Sequence, residues 1–410
     1  MDLLIGLGVV ALLTRVGFAL YGAGLVRAKN SASAGMRAIG DVSATVLAFW
    51  AVGAAILFRE GDQWFSINTN LLVGLRVEQV SFLMPALFFH FVMLLTASAV
   101  LGGALSERGR FFPLFLGSAL LAGLVFPIAG RWAWGGWLKH RGFIDLAGGS
   151  AIHVSAAMFA AVAAKMVGPR AGKFNRDGSS AMIPGHNVPL ACIGALLILA
   201  GWIAYVAGAS VVRVQLPGRE AYVAAPAALN VLLAGSAGAF SAMVFSQFRY
   251  GKTDVVLTLF GLLGGLVSLA AGGMAIATWA AVVCGFVAGV IVPMGALAID
   301  LRGRLDDPMG VIAVHGIGGA WGTLAAGLFI PVPLAHGRLQ QIAIQFAGVI
   351  SIAALAAVAS FPLFALLKRT KGLRAREADE FDGLDLAEHD IGAYPDFQQT
   401  MIKSYHLREV

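Results

Sequence analysis

Two histidines are the residues in this chain best placed to do chemistry. Asp145 is followed eight residues later by His153, and Asp307 eight residues later by His315. Each aspartate opens an apolar run, and each histidine lies about two helical turns inside it. Small residues and an aromatic follow: Ala156-Ala157 with Phe159, and Gly318-Gly319 with Trp321. A neutral imidazole donates one hydrogen bond and accepts another, and so can pass a proton on. Inside a bilayer such a group is costly and faces a partner or a cavity. A lone histidine here reads as a core residue bonded to backbone. A matched pair reads as a site. The two aspartates read as helix N-caps and orienting charges rather than ligands.

The elements that must hold this pair are membrane helices. Of 410 residues, 59% are hydrophobic and 12% charged, and the mean hydropathy is +0.82. A soluble domain carries about 25% charged residues. This excludes a soluble enzyme, a disordered chain and a disulfide scaffold. A transmembrane barrel is not expected, because its strands alternate polar and apolar residues. The net charge of +7 fits basic cytoplasmic loops better than nucleic-acid binding. No nucleophile–base set, metal spacing or cofactor motif stands out, so neither an enzyme nor a bound metal or cofactor is expected. Cys192 and Cys284 sit in apolar runs and read as small core residues. The run from Leu3 is too long, and lacks the basic leader, for a cleavable signal.

Apolar runs predict eleven spans, near 3–26, 42–58, 79–105, 113–134, 147–168, 187–211, 222–248, 255–273, 276–300, 309–330 and 341–367. Gly272-Gly273 is the only break between the eighth and ninth. Connections after odd spans up to the ninth carry thirteen Lys and Arg, and those after even spans eight. Lys368, Arg369, Lys371, Arg374 and Arg376 follow the last span. Positive charge marks the cytoplasmic side, so the N-terminus is expected outside and the C-terminus inside. The histidines fall in spans 5 and 10. Five spans between equivalents is an odd number, so the halves run in opposite directions. That is the inverted repeat of transporters, with the site at the repeat interface. The expected fold is an all-α polytopic membrane protein, a 5+5 inverted repeat plus one C-terminal helix. The transmembrane domain covers 1–368, with repeats about 1–168 and 187–330 and helix 11 at about 341–367. A tail of 369–410 turns acidic after Arg376. It reads either as a solvated, disordered end or as a docking segment for a soluble partner.

Several motifs resemble the ammonium transporter (Amt/Mep/Rh) family, on its Amt side. They are Gly24-Leu-Val-Arg-Ala-Lys-Asn30, Ala104-Leu-Ser-Glu-Arg-Gly-Arg-Phe111 and Asp145-Leu-Ala-Gly-Gly-Ser-Ala-Ile-His153. Next come His186-Asn-Val-Pro-Leu190, Gly201-Trp202, Ala207-Gly208, Asp306-Asp-Pro308 and Val314-His-Gly-Ile-Gly-Gly319. The tail adds Gly383-Leu-Asp-Leu-Ala-Glu-His389 and Ala393-Tyr-Pro395. The resemblance implies a homotrimer in the cytoplasmic membrane, one pore per subunit, with His153 and His315 lining it. It implies recruitment of ammonium at an outer aromatic site, separation into ammonia and a proton, and contact of the tail with PII signal proteins. Stripping water from ammonium is costly, and an aromatic face compensates by cation–π attraction.

The outer pore departs from the family pattern. Counting from shared motifs, the two gating phenylalanines fall on Met93 and Tyr205, with Phe89 beside them. The family's glutamine falls on His90, the asparagine on Val206 and the recruitment serine on Ala209. Trp134 matches the recruitment tryptophan, although its loop is one residue shorter. Met93 is flexible and could open a gate that Phe closes, and the Tyr205 hydroxyl could replace the lost serine. Phe88, Phe89, Phe91, Trp132, Trp134, Trp137 and Tyr205 could cage a larger alkylated amine, or simply pack against lipid and helices. His90 reads as an extra proton site or a satisfied core histidine. Arg15 snorkels, pairs with an acid or holds a lipid. Three functions follow: ammonium transport, transport of a larger or quaternary amine, and non-conducting ammonium sensing.

Overall fold

The computed structural model describes residues 2–58, 64, 65, 67, 83–214, 218–330 and 337–394. Among them the regular elements are all helical. Eleven helical segments match the expected spans in order. They are α1 (Leu3–Leu25), α2 (Ala28–Leu57), α3 (Met84–Ala104), α4 (Phe111–His140), α5 (Gly149–Val167) and α6 (Val188–Val214). Then come α7 (Glu220–Tyr250), α8 (Val255–Ser268), α9 (Thr278–Leu301), α10 (313–329) and α11 (Arg338–Thr370). Nine are long and apolar enough to cross a membrane by themselves; α8 is shorter, and α10 opens with an irregular turn. The predicted eighth span, 255–273, ends early: residues 269–277 are irregular and include a short 3-10 turn at Gly273–Ala275.

Two spans are longer than their apolar runs. Helix α2 starts well before residue 42, because Arg37 and Asp41 of its polar first half are buried against partners. Helix α6 runs on to Val214 and takes Arg213 into the helix rather than the loop. The start expected at 79 and the arginines at 59 and 76 lie outside the described residues.

The halves pair alike. Helix α1 lies along α6, α2 packs on α4, and α7 packs on α9, its counterpart. Contact between α1 and α6 is close because small residues line it; a Cβ on Gly17 would lie 2.5 Å from the Gly194 carbonyl oxygen. Asp306, just before α10, grips Arg170, just after α5, through two bonds of 2.9 Å. The start of α10 therefore adjoins the end of α5, and the two run antiparallel.

That end of the bundle holds the basic motifs. Arg170 also reaches Glu107 at 3.3 Å, and Glu107 takes Arg27 at 2.5 Å. Arg108, fully buried, donates to the carbonyls of Gly168 (2.6 Å) and Asp306 (2.7 Å). Burial works against ionising Asp306, but the bonds and charge of Arg170 hold its carboxyl below the usual range. These motif residues serve architecture: each charge is paired, as burial requires.

The tail packs here too, so of its two readings the disordered end does not describe residues 377–394. Two short helices, α12 (Glu377–Asp382) and α13 (Leu384–His389), lie on the same face. Glu380 accepts from Arg374 (2.7 Å) and from the Ala171 amide (2.6 Å). Asp385 caps α2 by accepting from the Ala32 and Ser33 amides, and Glu388 takes Arg37 at 2.6 Å and the Phe111 amide at 2.9 Å. Tyr394 bonds His186 at 2.8 Å. Acidic residues thus meet basic motifs and helix N-termini, where negative charge is favoured. Pro395 and the rest of the tail lie outside the described residues.

Candidate functional site

His153 and His315 meet at the centre of the bundle. Their Nδ1 atoms are 3.2 Å apart and their ring centroids 5.1 Å, and both side chains are buried. Each sits in a widened turn, Gly149–Val154 in α5 and Ala313–Ile317 in α10. Such π-turns recur at functional sites because the misfit redirects a side chain. Glycine lets the two helices touch: a Cβ on Gly319 would lie 2.5 Å from the Gly149 carbonyl oxygen and 3.1 Å from His153 Cβ. Ser150 and Thr323 lock the crossing with a 2.8 Å hydrogen bond.

The aspartates do what the spacing predicted. Asp145 accepts from the amides of Ser150 and Ala151. Asp307 accepts from those of Val311, Ile312 and Ala313. Each caps the orphan amides of its own helix and does not touch the imidazoles.

The surroundings obey the repeat. On α6, Tyr205 donates to the carbonyl of Ala147, two residues after Asp145, at 2.6 Å. On α1, Tyr21 donates to the carbonyl of Met309, two residues after Asp307, at 3.0 Å. Three residues before each tyrosine an aromatic ring covers a histidine. Trp202 stacks on His153 with centroids 5.1 Å apart, and Phe18 tilts against His315 at 5.8 Å. The Trp202 indole donates to the Leu266 carbonyl at 3.1 Å and is fixed there. Neither Tyr21, Phe18 nor Trp202 was singled out for the site from sequence. Their signal was the tyrosine–aromatic spacing of three in spans 1 and 6.

With the two Nδ1 atoms sharing one hydrogen, one imidazole donates and the other accepts. The donor then presents a bare Nε2 and the acceptor an Nε2–H. Among the described residues both Nε2 atoms are buried and without a partner. The pair therefore offers one acceptor and one donor to a small polar visitor.

Phe89 and Met93, one turn apart on α3, are both fully buried, and Phe89 lies against Gly208 of α6. Ala209 is buried and brings no polar group. The Tyr205 hydroxyl gives its hydrogen to the Ala147 carbonyl and keeps its acceptor lone pairs. Arg15 pairs with Asp41 of α2 and donates to the Ala38 carbonyl at 2.8 Å, so the acid-pairing alternative holds. His90 is satisfied on both sides: Nδ1 bonds the Ala86 carbonyl at 2.6 Å and Nε2 faces Arg213 Nη2 at 3.0 Å. Trp134 donates to the Asp145 carbonyl at 2.6 Å, and the Arg213 guanidinium lies 3.8 Å over its ring. Arg213 was read only as a loop charge.

Known proteins match the chain in sequence and in fold. The family profile "Ammonium Transporter Family" covers residues 3–394. The chain is 34% identical to ammonium transporter Amt2 of Archaeoglobus fulgidus, over 96% of this chain and 87% of that one. It is 34% identical to Amt1 of Haloferax mediterranei, over 93% and 76%. A solved structure named "Sensor Amt Protein" superposes with a TM-score of 0.89 at 32% identity, covering 94% of this chain and 97% of that one. Candida albicans Mep2 superposes at 0.82 with 21% identity, covering 99% and 92%.

Proposed function

This chain belongs to the ammonium transporter family, and we propose from that premise that it carries ammonium as ammonia plus a relayed proton past His153 and His315. It is a multi-pass membrane protein of a transport family and not an enzyme. The observation that carries the proposal is the 3.2 Å Nδ1–Nδ1 contact with an unpartnered Nε2 on either side. Ammonia donates and accepts hydrogen bonds, and the pair offers both. A buried, mostly apolar setting makes a cation costly and a neutral molecule cheap. The shared hydrogen gives the proton a path between the rings.

Outside the pair, Trp134 would receive the cation, with Tyr205 and Ala209 at that level, and Phe89 and Met93 would form the gate. Asp145 and Asp307 orient the two half-sites. The tail face would be cytoplasmic and the Trp134 end outside, in the cytoplasmic membrane. Three copies would assemble, and the docked tail, with its acidic side chains committed to the bundle, would be the part a PII-type protein meets.

A second reading has one observation behind it: among the similar structures is one named a sensor, so ammonium could be bound and reported rather than conducted. Nothing in the geometry favours a larger amine. The experiment is to reconstitute the chain and record currents with ammonium, methylammonium and choline in turn. Ammonium and methylammonium current supports transport. Current with choline alone overturns it, and saturable binding without current supports the sensor.

A further inference from the structure

The outer aromatic position already holds a positive charge. Arg213, near the end of α6, places its guanidinium 3.8 Å over the Trp134 ring. Its Nη2 donates to His90 Nε2 at 3.0 Å. The His90 Nδ1 must donate to the Ala86 carbonyl, so its Nε2 carries a lone pair, and the ring is held in place by Phe58 and Trp134 edges. The indole is itself fixed by its bond to the Asp145 carbonyl. Among the described residues no carboxylate lies within 4 Å of Arg213, and its Nε is buried without a partner. The guanidinium is thus seated on a π face and a neutral imidazole, with the buried Asp145 acting on its charge from beyond ion-pair distance. That is the chemistry of a site for a free cation, filled from within the chain.

We propose that Arg213 is a resident cation of the outer site: seated there, it excludes substrate cations, and the site opens only when the side chain swings away. The inference rests on the transport reading and adds a specificity and gating residue to it. Two unit charges about 4 Å apart in a partly screened site repel enough to disfavour double occupancy by about a thousandfold. When Arg213 leaves, the nearby buried Asp145 keeps its bonds from the Ser150 and Ala151 amides, so no ion pair has to break.

The test uses the full chain in proteoliposomes and in detergent, with Arg213→Ala and Arg213→Gln; the second keeps a polar N–H donor at this position and removes the charge. Guanidinium chloride is the probe, followed by calorimetry and by uptake of labelled methylammonium. Both variants should bind guanidinium where the parent does not, and Trp134→Ala in the Arg213→Ala background should abolish that binding. Their methylammonium uptake should rise by about tenfold or more, and guanidinium should suppress the gain. Equal guanidinium binding by parent and variants, or equal uptake insensitive to guanidinium, overturns the resident cation while leaving the transport reading standing. Guanidinium binding by the variants with no uptake by any form supports the resident cation and overturns transport.

Discussion

Tyr21 and Tyr205 make the same bond in opposite halves of the molecule. Each donates its hydroxyl to the carbonyl two residues after a capping aspartate, Met309 for one and Ala147 for the other. The two bonds tie α1 to the start of α10 and α6 to the start of α5. They set the position of the helix that bears each histidine relative to the aromatic that covers it.

Tyr205→Phe removes one tie and leaves the Ala147 carbonyl oxygen short of a partner. The loss should be about 1–3 kcal/mol, read as a lower melting temperature in detergent. Tyr21→Phe should cost a similar amount. An effect of one and none of the other would show that the two bonds are not equivalent.

Arg170 holds Asp306 and Glu107 at once. Arg170→Ala takes the forked partner from the buried Asp306 and leaves Glu107 with Arg27 alone, and should cost about 3–5 kcal/mol. Thermal unfolding of the purified chain measures it. Arg170→Lys should recover only part, because a lysine cannot fork onto a carboxylate.

Asp306 gives a pH dependence whose sign is fixed. Its carboxyl is held below the usual range in the folded state, so its contribution is complete above the unfolded value of about 4. It is lost as pH falls through the folded value. Stability at the tail face should therefore hold from neutral pH down to the ordinary carboxylate range and drop only below it. Asp306→Asn should flatten that acid limb in a melting-temperature series against pH.

Glu388 anchors the tail through Arg37 and the Phe111 amide. Glu388→Ala should leave Arg37 buried without its acid, at a cost of about 1–3 kcal/mol. The effect should be local: amide exchange across α12 and α13 should speed up, while that of α5 and α10 stays as it was.

Much of this was legible in the sequence because bilayer physics writes in long apolar runs. The span order, the Asp–His repeat and the capping by Asp145 and Asp307 all follow from spacing along one helix. What was hidden depends on long side chains reaching between helices. Counting residues places Trp134 at the outer site but does not show Arg213 lying over it. Arg15 left three alternatives open because its partner, Asp41, lies on the next helix and before the apolar run that marked span 2. The tail's acidity left a solvated end and a docking segment both open, since its partners are scattered over residues 29–37, 111, 171 and 374. Counting from Gly201-Trp202 puts Tyr205 at the outer pore but does not show that its hydroxyl donates to the Ala147 carbonyl.

The most direct test of the central claim is ammonium current through proteoliposomes bearing the parent chain, His153→Ala, His315→Ala and the double variant. If the two imidazoles form one relay, each single change should alter the rate or the selectivity over potassium by about tenfold or more, the scale of a positioned proton-transfer group. The double change should add little beyond either single one. Currents and selectivity unchanged in both single variants would contradict the account.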